Sequence, residues 1–229
     1  IQSLFEHKTV FLVVGALVSV AIGGLVELIP IVTHEAKDLK LSTVTPWTAL
    51  EIAGRDIYIR EGCNNCHTQQ IRPILGETMR YGTYSRAGEF VYDTPHLWGS
   101  KRTGPDLARI GQKYGDAWHW KHMVEPRLMS VGSIMPNYPW LLTGKVNFDE
   151  LPAKLHALQS IGIPYTDEQV NQAGRDAQTQ AQAIAKGLTD QGQSAQDDQE
   201  IVALIAYLQR LGVDGRNWEK MERSSHASR

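Results

Sequence analysis

The residues best suited to chemistry are Cys63, Cys66 and His67, in the run Cys63-Asn64-Asn65-Cys66-His67. Two thiols one helical turn apart, followed at once by an imidazole, form the C-x-x-C-H pattern of covalent haem attachment. The thiols can add to the two vinyl groups on one edge of a haem. The histidine is then held beneath the ring with a nitrogen aimed at the iron, and the ligand on the opposite face sets much of the potential. A dithiol redox centre has no use for the histidine. A structural zinc site needs about four protein ligands, whereas the chain holds only 2 cysteines. Haem attachment uses both thiols and leaves none over.

A sixth iron ligand is sought among five methionines and several histidines. Met135 stands in Ile134-Met135-Pro136-Asn137-Tyr138-Pro139-Trp140, a proline-rich turn able to hold a thioether rigidly against the iron. Met79 falls in an irregular stretch, Met123 and Met129 in or near a helix, and Met221 in the tail. Met/His is the common pairing in cytochromes c. Bis-histidine ligation through His96, His119 or His122 is the rival.

The rest of the chain must position these groups. With 229 residues, a formal charge of −2 and no block of lysine and arginine, nothing points to nucleic acid. A hydrophobic fraction of 42% and a mean hydropathy of −0.30 describe a mostly water-exposed chain with enough apolar residues for a core. Residues 9–26 carry no charge, lie between Lys8 and Glu27, and are followed by Pro30. At about 1.5 Å per residue this run covers roughly 27 Å, the hydrocarbon thickness of a bilayer. The expected element is an uncleaved single anchor over 1–30. A signal peptide has a shorter apolar core and a small-residue cleavage site, and a buried soluble helix would not be apolar all round. Gly15, Ser19 and Gly23 recur every fourth residue, a spacing that lets another helix approach closely. The flanking charges are too even to set orientation.

A linker is expected at 31–48, then a helix from Ala49 into the motif, with Gly54 and Tyr58 one turn apart. Residues 68–103 read as a long irregular loop with five aromatics: Tyr81, Tyr84, Phe90, Tyr92 and Trp98. It either docks on a partner or packs on itself. Helical composition covers 116–129, interrupted at Pro126. It returns at 151–161 and 167–188, the latter capped by Thr166 with Gln169 three residues on. These lie in a polar insertion at 149–196 that a small cytochrome would not need. In 197–211, Ile201, Leu204, Ile205, Leu208 and Leu211 share one helical face, Gly212 stops the helix, and 213–229 reads as a polar tail. The fold class expected is all-α: one membrane helix and a haem domain over 49–212.

The blocks Gly54…Tyr58, Arg60-Glu61-Gly62-Cys63-Asn64-Asn65-Cys66-His67-Thr68-Gln69-Gln70-Ile71-Arg72-Pro73, Thr103-Gly104-Pro105-Asp106-Leu107 and Met135-Pro136-Asn137-Tyr138-Pro139-Trp140 resemble the membrane-anchored monohaem cytochrome c subunit (subunit II) of cbb3-type cytochrome c oxidases. The resemblance covers nearly the whole chain. It implies a class I cytochrome c-like domain whose first and last helices cross at the Gly54–Tyr58 turn. It implies one covalent haem c ligated by His67 and Met135. The Gly104-Pro105 element follows the motif, the Pro105 carbonyl accepting from the other ring nitrogen of His67. Arg60 and Arg72 are candidates for pairing with haem propionates, or are plain surface arginines. An interfacial calcium also belongs to this family, though no acidic cluster in the sequence locates it. The implied role is electron transfer, from a c-type cytochrome donor such as a dihaem cytochrome c subunit, to a haem–copper catalytic subunit that reduces oxygen and pumps protons. The setting is the bacterial inner membrane with the haem domain in the periplasm. The competing readings are a free-standing membrane-tethered cytochrome c shuttle, the small subunit of nitric oxide reductase, and a haem sensor or peroxidase with an open iron site.

Overall fold

A computed structural model describes residues 8–33 and 40–227. Part of the expected linker (34–39) and the last two residues of the tail lie outside the described residues. The chain divides into two compact units, Ile1–Lys40 and Leu41–Arg229. All regular structure among the described residues is helical, apart from an isolated bridge between Lys145 and Gln199.

Among its described residues, the first unit holds one helix, α1 (Thr9–Thr33). Its stretch Thr9–Ile29, 21 residues, is long and apolar enough to cross a bilayer. The helix runs one turn past Pro30, where it was expected to stop. Proline removes only the N–H that would bond the Val26 carbonyl, and this loss falls near the helix end. The hydroxyl of Ser19 donates to the Gly15 carbonyl at 2.9 Å, so its polar group is satisfied within the helix. No atom lies within 4 Å of where a Cβ would stand on Gly23 or Gly24, which leaves the small-residue face open.

The second unit is built on a crossing of α2 (Ala49–Arg60) and α9 (Glu200–Arg210). Between them come α3 (Cys63–Cys66), α4 (Leu75–Tyr81), α5 (Asp116–Val124), α6 (Pro126–Met129), α7 (Leu151–Ser160) and α8 (Asp167–Asp190); α10 (Val213–Ala227) follows. Helix α2 starts at a capping box. Thr48 accepts from the Glu51 N–H at 3.3 Å, and the Glu51 carboxylate accepts from the Thr48 N–H at 2.8 Å. Midway along, the backbone of Gly54 lies directly on the Ala203 carbonyl, and an added Cβ would also fall 2.9 Å from the Cβ of Tyr207. One turn further, the rings of Tyr58 and Tyr207 meet at 5.4 Å. All five apolar residues expected to share the face of α9 are buried.

The segment that carries α7 and α8, expected as an insertion, packs on this crossing. Helix α8 opens with the expected capping box, Thr166 accepting from the Gln169 N–H at 3.2 Å. It buries Val170, Ala173, Ala177, Ala181, Ala185 and Leu188, and it lies against α2, α7 and α9. A row of alanines lets the helix approach closely while burying little side-chain entropy.

Two segments differ from expectation. The loop at 68–103 contains α4 and a short 3₁₀ turn, Ala87–Glu89. The tail is helical over Val213–Ala227. Gly212, at φ +73°, ends one helix and lets the next begin immediately. The new helix is held by its own contacts: Arg86 stacks over the Trp218 ring at 4.1 Å, Thr83 donates to Glu219 at 3.1 Å, and Arg210 pairs with Asp214 at 2.6 Å.

The crossing predicts a contrast between two glycines. Gly54→Val should lower stability by about 3 kcal/mol, because the added side chain has no room without separating α2 from α9. Gly187→Ala, in α8 with nothing within 4 Å of the new Cβ, should raise it by up to about 1 kcal/mol. Denaturant midpoints of the full chain in detergent check both, and equal effects would contradict the close crossing.

Candidate functional site

The site begins where α2 ends. Gly62 takes a left-handed conformation, φ +69°, so the chain can leave α2 and start the single turn of α3 at once. In that turn the His67 N–H donates to the Cys63 carbonyl at 2.9 Å, which places the two thiols one turn apart and the imidazole just beyond. Cys63 is half-buried against the core and Cys66 is exposed. Burial, aided by the nearby Glu61 carboxylate, pushes the Cys63 thiol up to about 12.

His67 is gripped by the segment expected to hold it. Its Nδ1 lies 2.8 Å from the Pro105 carbonyl oxygen. A carbonyl only accepts, so the proton sits on Nδ1 and the lone pair of Nε2 is free to bind a metal. Gly104 lies flat against the ring: a Cβ there would stand 2.8 Å from Nδ1 and 2.9 Å from Nε2. Burial lowers the pKa of His67 against the opposing effect of the Pro105 bond, which favours the neutral, ligating form.

The strand of chain after the motif is zipped to 102–107. The Gly104 N–H donates to Cys66 at 2.9 Å and the Leu107 N–H to Thr68 at 2.8 Å. The buried carboxylate of Asp106 accepts from the Thr68 hydroxyl at 2.5 Å and the Gln70 N–H at 3.0 Å. Arg102 closes this network. Its guanidinium reaches Thr68 at 2.6 Å, Gln70 at 2.8 Å, Glu77 at 2.7 Å and Asp106 at 3.3 Å. Hydrogen bonds from Arg102, and then from Arg72, hold the Glu77 carboxyl well below the usual carboxylate range. From the other side, Tyr207 of α9 packs its hydroxyl 2.9 Å from the carboxamide of buried Gln69.

The loop that carries Met135 is brought to the motif. Trp140 Nε1 donates to Glu61, two residues before Cys63, at 2.9 Å. The Tyr138 N–H donates to the Met123 carbonyl at 2.8 Å. Burial and the neighbouring thiols of Cys63 and Cys66 raise the Tyr138 pKa, so its ring shares their surroundings. Met135 is half-buried against the core, and its own N–H donates to the Ser133 hydroxyl at 3.2 Å. Among the rival histidines, His96 is exposed and stacks on Trp98 at 4.4 Å. His119 is buried, its pKa drawn down to about 4 by burial and then by His122. His122 stacks on Trp118 at 4.6 Å, its pKa lowered chiefly by burial.

Arg60 and Arg72 flank the motif as expected, but both are already paired. Arg60 forks onto Glu200 at 2.7 and 2.6 Å and also meets Glu61 at 2.8 Å. Arg72 donates to Glu77 at 2.5 Å. A propionate contact would have to share these guanidinium groups. No cluster of three or more histidine, cysteine or carboxylate side chains suited to a metal ion occurs among the described residues.

The residues that sequence reasoning missed are Arg102, Glu77, Asp106, Glu61 and Trp140. Their roles depend on partners distant in the chain, such as the 79-residue separation of Trp140 from Glu61. Only Asp106, next to the Gly104-Pro105 element, had a local cue. The donor set fits a single haem: two thiols, an imidazole with its tautomer fixed and its ring backed by a glycine, and a thioether on a loop fastened beside the thiols. No curated protein matches the chain. The family described as "Cytochrome C oxidase, mono-heme subunit/FixO" matches residues 2–214. The chain therefore belongs to the family of mono-haem subunits of cytochrome c oxidase.

Proposed function

We propose that this chain is the electron-transfer subunit of a proton-pumping cbb3-type terminal oxidase. It receives electrons one at a time from a c-type cytochrome donor, the dihaem cytochrome c subunit of the same complex, and delivers them to the haem–copper catalytic subunit. Helix α1 anchors it in the bacterial inner membrane, with the haem domain on the periplasmic side. The observation that carries this reading is the grip on His67, whose Nδ1 is tied to Pro105 and whose ring lies on Gly104, one residue after a pair of thiols.

A bound haem supplies a one-electron iron couple. Cys63 and Cys66 would hold it through thioether bonds, and His67 Nε2 and the Met135 sulfur would be the ligands to its iron. The Pro105 carbonyl keeps the His67 proton on Nδ1 and raises the basicity of Nε2. The links from Trp140 to Glu61 and from Tyr138 to Met123 keep the Met135 loop in place through a redox cycle, so little has to reorganise. With an imidazole and a thioether both supplied by the chain, no position on the iron would be left for oxygen. Arg60 and Arg72 are the guanidinium candidates for the propionates, each placed by the glutamate it already holds.

Three outcomes are expected. The oxidase complex purified in mild detergent should carry one c-type haem on this chain that survives acidified acetone, together with b-type haem, copper and oxygen consumption. A chain isolated gently with one c-type haem and no b-type haem would instead be a tethered shuttle. Cys63→Ser combined with Cys66→Ser should abolish the acetone-resistant haem. Met135→Leu should keep the covalent haem but open the sixth position, so that the reduced protein binds carbon monoxide where the wild type does not. Unchanged optical spectra would place the sixth ligand elsewhere, with His122 the next variant to make.

A further inference from the structure

The loop that carries Met135 is fastened on one side. Upstream, the hydrogen bonds of residues 130–135 are local: the Ser130 N–H donates to Pro126, the Ser133 N–H to Ser130, and the Met135 N–H to the Ser133 hydroxyl. Val131 is 100% exposed and Ile134 77%, so burial does little to hold this arm. Downstream, Pro136 and Pro139 stiffen the backbone between Met135 and Trp140, and Leu141 just beyond is buried. Trp140 itself belongs to a closed ring of bonds. Its Nε1 donates to Glu61 at 2.9 Å. Glu61 also accepts from Arg60 Nε at 2.9 Å, and Arg60 forks onto Glu200 at 2.7 and 2.6 Å. The Glu200 N–H donates to the Gly144 carbonyl at 3.0 Å, and the Gly144 N–H donates to the Trp140 carbonyl at 2.8 Å, which closes the ring. A Cβ on Gly144 would run into the Glu200 carboxylate, so the ring has no slack there. The side chains of Glu61 and Glu200 are only 13% and 12% exposed, which makes their bonds stronger than those of an open surface pair.

We propose that Glu61 is a positioning residue for the Met135 thioether, fixing through this ring how far the loop stands from the thiol turn. The inference rests on the reading of Met135 as an iron ligand given above. A thioether is a neutral and weak ligand, and its hold depends on how little freedom its loop has left to lose on binding. Glu61 lies two residues before Cys63, so the backbone segment that carries the thiols also carries the anchor of the loop. One carboxylate thereby sets the spacing between the thiols and the thioether. Arg60 and Glu200 keep that carboxylate from turning away, and they tie it to the start of α9. The upstream arm has no such tie, so the position of Met135 is set from its C-terminal side.

The test uses the full haem-bearing chain in detergent, oxidised and titrated with imidazole, which competes with the thioether for the iron. The weak red absorption band of a thioether bound to ferric haem reports the same displacement. Glu61→Ala and Trp140→Phe should each lower the imidazole concentration at half-displacement by about tenfold, with the covalent haem and the helical content kept. The double variant should lower it no further than Glu61→Ala alone, because both changes remove the same bond. Val131→Ser, on the upstream arm, should titrate as the wild type does. A wild-type titration in Trp140→Phe would overturn the inference. So would a double variant whose effect is the product of the two single ones, or an equal shift in Val131→Ser. A wild-type spectrum without the thioether band would remove Met135 as the ligand altogether, and that result is separate from a normal band that none of the variants moves.

Discussion

The rest of the haem domain depends on how closely α2 and α9 approach. At Gly54 the two backbones touch, and any side chain there would occupy the space of the Ala203 carbonyl. This contact fixes both ends of the site at once. Toward the C-terminal end of α2 it places Gly62 and hence the start of the thiol turn. Through Tyr207, on the opposite helix, it places Gln69 and hence the stretch that leaves the motif. The motif is thus a short arc with its entry and exit pinned to the same helix pair. A four-residue helix has almost no stability of its own, so the geometry of Cys63, Cys66 and His67 is inherited from the crossing.

A second constraint acts on the imidazole. Pro105 and Gly104 fix its tautomer and its plane, and they are in turn held by Asp106 and Arg102. Arg102 bonds the motif's exit, the carboxylate beside Pro105 and the inner face of α4 with one planar group. A guanidinium suits this because its donors diverge in one plane and its charge persists at any physiological pH. Two buried or nearly buried carboxylates, Asp106 and Glu77, would be costly without it. The network therefore links the position of the His67 imidazole to the position of a surface helix.

Much of this was legible in the sequence where the signal is local. The thiol–thiol–imidazole spacing, the Thr166–Gln169 capping box and the single apolar face of α9 are each read within a few residues, and each is found as expected. Gly54 and Tyr58 were placed by resemblance, and the structure shows why those types are needed there. The helical tail and α4 were missed for a common reason. Both are short on apolar periodicity, and both are stabilised by partners far away in the chain: Trp218 by Arg86, Glu219 by Thr83, Glu77 by Arg102. The pairing of Arg60 with Glu200 was hidden in the same way, across 140 residues.

The segment that carries α7 and α8 adds a further layer to the crossing. Helix α8 meets α2 and α9 and buries a row of alanines, so its backbone comes close. At the motif itself, Trp140 bonds to Glu61 and Pro105 to His67. Added packing on α2 and α9 can stiffen the scaffold that leads into the thiol turn. Helices α7 and α8 are tied to that scaffold, and α4 is tied through Arg102 to the residues around His67.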